Sequence, residues 1–293
     1  MKRLLLFTAL LYSPLFAEDL PVLWLEAGKE LEINLRETNE QRWELRYEHR
    51  VLTSGAIGAK TTIKAPPLKP GTHLQAQLLI DGVPVRDAVI ASPDPFADRK
   101  EWFDKHRIAL YDLEKTTGGI FEEQEIPFQR LGSFAEIEAV KDAVIVVGLD
   151  VDFGTEKRLA ALLFQKAAQG SAVLVADPKG DIPLDYPPTI YSLVLSAEVK
   201  YFFSLASGRQ GVKKWDLQTK DGQTFLADRV VQSYGAGATI LDIRFADPKN
   251  TSPYAQPLGR IVFDKHLRFS NVESRWYFKT LIETLTNDTP NRQ

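Results

Sequence analysis

Two spacings of hydrophobic positions divide the chain. Between residues 19 and 92 apolar and polar residues alternate, as in strands that bury one face. Val22-Leu23-Trp24-Leu25, Leu31 to Leu35, Trp43 to Tyr47, Thr61 to Ala65, His73 to Ile80 and Val83 to Ile90 all read this way. Asp81-Gly82 separates the last two, and a two-residue turn with positive φ suits that dipeptide. Six or seven short strands in sequence predict a β-sandwich. After Pro93 and Pro95 the pattern changes to continuous apolar runs alternating with helical periods. Arg107 to Tyr111, Ala143 to Val147 and Ala172 to Ala176 are strand candidates. Lys115 to Glu123, Ser133 to Val140 and Thr155 to Gln169 are helix candidates. Ser133 and Glu136 have capping-box spacing, and Gly170 stands where a helix would end. This alternation predicts βαβ units and a parallel sheet covered on both faces.

The last third mixes both patterns. Trp215-Asp216-Leu217 and Phe225-Leu226-Ala227 flank Asp221-Gly222 as a hairpin. Ala238 to Ile243 and Arg260 to Phe263 read as strands, and Ser270 to Leu285 as a closing helix with Ser270 and Glu273 as its capping box. The resulting division is 1–17 signal peptide, 18–92 β-sandwich, 93–105 linker, 106–286 α/β domain and 287–293 tail. In the first domain, Pro70-Gly71-Thr72 before one strand and Asp81-Gly82 after it resemble the last two strands of immunoglobulin-like or fibronectin-type-III-like modules.

The signal peptide rests on Met1-Lys2-Arg3, the apolar run Leu4 to Leu11, and Ala17 before Glu18. Cleavage after Ala17 would leave a periplasmic or secreted product that does not span a membrane. With no cysteine, the chain has no thiolate metal site, disulfide or cysteine nucleophile. With 36 basic and 39 acidic residues the net charge is −3, so nothing neutralises a nucleic-acid backbone and no such partner is expected. The expected partner is a protein or a glycan.

Asp142 to Gly148, the helix after it, and Gly170 to Asp177 resemble the class I glutamine amidotransferase-like fold, a flavodoxin-like α/β domain. In that register Asp177 occupies the position of the catalytic cysteine, and Pro178 follows it. The elbow glycines are unmatched. No His-x-Glu stands near the C-terminus, where His266 lies in Asp264-Lys265-His266-Leu267. Thiolate attack assisted by a base therefore has neither partner. The resemblance implies a non-catalytic relative, a binding or scaffold protein rather than an enzyme.

Asp112, Asp150, Asp152 and Asp177 each follow a predicted parallel strand. Ligands of open α/β sheets bind outside the carboxyl ends of the strands, so these carboxylates could share one crevice. As hard oxygen ligands they would suit Mg²⁺ or Ca²⁺ in a metal-dependent hydrolase. The alternative is that each caps a helix or closes an Asx turn, with no cofactor. His49, His73, His106 and His266 lack metal-ligand spacing. Gly55 to Thr61 lacks the spacing of a phosphate loop. Trp102, just past the two prolines, is a candidate interdomain wedge or sugar-stacking platform, the second of which would make the protein a carbohydrate-binding accessory module.

Overall fold

The computed structural model describes residues 22–35, 41–58, 60–97, 99–180, 184–185, 215–219, 224–235, 238–245, 258–265 and 267–287. The signal-peptide reading and His266 lie outside these residues. Two compact units divide the chain, one formed by residues up to 91 apart from 69–72, the other by 69–72 and 92 onward.

The first unit is all strand. β1 (Leu23–Glu26), β7 (Val83–Ala91), β6 (His73–Ile80), β3 (Arg42–Tyr47) and β4 (Arg50–Ala56) form one sheet in that order. β2 (Glu30–Ile33) pairs with β5 (Thr61–Lys64) in a second. β1 runs parallel to β7, whereas every other pair in this unit is antiparallel. Leu25, Leu45, Leu78 and Ile90 from the larger sheet share one core with Ile63 from the smaller. Asp81 and Gly82 have φ of 47° and 81°, the left-handed pair a tight hairpin requires.

The second unit is built on a nine-stranded mixed sheet. Its parallel half runs β9 (Gln129–Leu131), β8 (Arg107–Tyr111), β10 (Ala143–Val147), β11 (Ala172–Ala176), β16 (Gly259–Asp264). From β16 the sheet continues antiparallel through β15 (Ala238–Phe245), β14 (Thr224–Gly235), β13 (Trp215–Thr219) and β12 (Leu184–Asp185). Alternate residues of each central strand serve opposite faces. Ile145, Val147, Val173 and Val175 meet α3 (Phe134–Ala139) and α4 (Leu159–Ala168) through Ile137, Leu159 and Leu163. Val144, Val146, Leu174 and Ala176 meet α1 (Lys100–Lys105), α2 (Thr116–Glu123) and α5 (Val272–Asn287) through Phe103, Phe121 and Phe278. Two covered faces explain why β10 and β11 are apolar at nearly every position.

Besides β4, which no alternation marks, three parts of the chain differ from the sequence expectation. Residues 93–105 are part of the second unit, with Phe96 and Phe103 buried in its core. α4 begins at Leu159 rather than Thr155, because Asp152 draws the preceding segment into turns: its carbonyl accepts from Thr155 and Glu156 N–H groups. α5 is capped by Asn271, whose Oδ1 accepts the Ser274 N–H at 2.8 Å, and not by a Ser270–Glu273 box. At α3 the expected cap is present, with Ser133 Oγ accepting from Glu136 N at 3.3 Å.

Candidate functional site

The carboxyl edge of the parallel strands carries all four predicted aspartates, each held differently. Numbered along the chain, the parallel strands have the order 2-1-3-4-5, which reverses between β8 and β10. An open sheet leaves its ligand crevice at such a reversal. Here side chains fill it. Asp112, at the end of β8 and 4% exposed, accepts the Gly118 N–H at 2.6 Å with Oδ2 and so serves the first turn of α2. Its Oδ1 is buried without a hydrogen-bond partner. Thr117 Oγ1 accepts the Leu149 N–H at 2.7 Å and stitches the same turn to the loop after β10. Gly148 completes the closure, since a Cβ there would stand 2.8 Å from Thr117 Oγ1 and 3.0 Å from Asp112 Cγ.

Asp150 and Asp177 are brought together by a lysine. Lys179 Nζ lies 3.2 Å from Asp177 Oδ2 and 3.5 Å from Asp150 Oδ1. The Asp177 hydrogen bond and charge, followed by Asp150, hold the Lys179 ammonium above its ordinary pKa. Arg268 Nε reaches the same Asp177 oxygen at 3.2 Å. Asp177 sits at a sharp turn, with φ of 38°, and its N–H donates to Asp264 O at 2.7 Å. Asp150 also takes the left-handed region, at φ 65°. Non-glycine residues rarely hold this conformation without support from their surroundings.

Asp152 serves its own loop. Its Oδ1 accepts the Gly154 N–H at 2.7 Å, an Asx turn. Gly180, at φ 70°, is needed beside it, because a Cβ would come within 2.5 Å of that oxygen. The four aspartates share an edge, on which Asp150 and Asp177 meet at Lys179, while Asp112 and Asp152 turn back onto backbone N–H groups. Among the described residues no three acidic or histidine side chains form a group that could hold a metal ion. Where Mg²⁺ or Ca²⁺ would need oxygen ligands between Asp150 and Asp177, an ammonium already supplies the positive charge.

Sequence reasoning missed Lys179 and Arg268. Lys179 was findable, two residues beyond Asp177; Arg268 reaches the site only because β16 lies beside β11. A further buried carboxylate, Asp264, ends β16 and is 1% exposed. It accepts a hydrogen bond from Tyr277 on α5, whose phenol is raised well above its usual pKa by burial and then by Asp264. The Trp102 ring lies 4.6 Å from the His106 ring at a tilt of 37° and, half-buried, packs against the core on that face of the sheet.

Neither the protein-family models nor the curated proteins searched contain a match to this chain.

Proposed function

We propose that the chain is a non-catalytic exported binding or scaffold protein, an immunoglobulin-like module followed by a degenerate amidotransferase-like domain of flavodoxin-like topology. The fold reading is supported by strand order. In the first unit β1 lies parallel to the last strand of a β7-β6-β3-β4 sheet, opposite β2 and β5, the arrangement of an immunoglobulin-like sandwich. In the second, the order 2-1-3-4-5 is that of flavodoxin-like sheets.

One observation carries the functional reading. Asp177, at the nucleophile position, has its Oδ2 in ion pairs with both Lys179 and Arg268. A carboxylate stabilised by two cations is a poor nucleophile, and nothing in the pairing supplies a base. Pro178 removes the N–H that would help bind a developing oxyanion. The expected partner remains a protein or glycan outside the cell membrane. The metal-dependent hydrolase has less support, since Lys179 already sits between Asp150 and Asp177, where a metal cation would have to bind.

Ammonia release from glutamine by the purified chain tests this reading. The expected rate equals the buffer blank, with and without Mg²⁺ or Ca²⁺, and Asp177→Cys gains nothing because Pro178 remains. Release that disappears in Asp177→Ala would replace the binding protein with an enzyme.

A further inference from the structure

We draw no further inference here: the strongest candidate, the cavity of about 860 Å³ at the amino-terminal edge of the parallel sheet, is lined by the buried Lys166, whose Nζ already donates to Val140 O at 2.6 Å and Glu138 O at 3.2 Å, and by the exposed charges of Lys105, Lys141, Glu138 and Asp142, which offset one another, so nothing in the structure shows what would occupy it.

Discussion

The two edges of the parallel sheet handle charge in opposite ways. At the carboxyl edge, aspartates end the strands and are drawn inward: onto Gly118, onto Gly154, onto Lys179 and Arg268. The polar atoms there serve the loops, and the crevice at the strand reversal is filled. At the amino edge, one buried lysine closes a neighbouring helix, and the other charges offset one another around open space. A fold marks where a ligand could sit, but it is the commitments of the polar atoms that decide whether anything remains to bind it.

This contrast can be broken most forcefully at Lys166. Lys166→Met keeps the length of the stem but leaves Glu138 O and Val140 O without their donor. Each orphaned buried carbonyl costs about 1–3 kcal/mol, so a loss of about 3 kcal/mol in urea unfolding is expected. A loss under about 1 kcal/mol would mean that water from the cavity takes over both carbonyls. At the carboxyl edge, Asp177→Asn should cost only about 1 kcal/mol, because Lys179 and Arg268 are both substantially solvent-exposed. The difference from the parent should shrink in 1 M salt, and a salt-independent loss would place the pairs in a drier setting than their exposure indicates. The smallest effect concerns pH. Burial, and then the charge of Lys105, make folded His106 resist protonation, so below the ordinary value of 6.5 the unfolded chain binds the proton first. Stability therefore falls as pH drops from 6.5 through the lowered folded pKa. In His106→Gln the melting temperature should fall less between pH 7 and pH 5 than in the parent; an unchanged slope would remove His106 from the amino-edge account.

Legibility in the sequence followed the physics of each element. β10 and β11 could be read because two covered faces leave no polar position to confuse the pattern. β4 escaped notice because Val51 is exposed and Gly55 lies under the Trp43 ring, which gives its strand no clean alternation. The start of α4 was misplaced by turns whose N–H groups donate to the Asp152 carbonyl, which no helical period reports. At the candidate site, strand ends located all four aspartates, but their partners depend on which strands are neighbours. Arg268 reaches Asp177 only because β16 inserts beside β11. Lys166 was hidden for another reason: on a helix wheel a lysine reads as a solvent-facing residue, and only packing of α3 against α4 gives it carbonyls to hold.

β16 also constrains the order of assembly. It is the single strand that joins the two halves of the sheet, parallel to β11 on one side and antiparallel to β15 on the other. During synthesis β12 to β15 emerge before it, yet they reach the parallel half only through it. Until residues 259–264 are made, the growing chain carries two unfinished sheet edges, one on β11 and one on β15. Unpaired edges invite pairing with other chains, and joining strands so distant in sequence is slow. A ribosome that stops short of Gly259 therefore releases a chain with two sheet fragments whose facing edges have no strand between them, a stronger substrate for aggregation or proteolysis than a chain that has lost only the residues after α5.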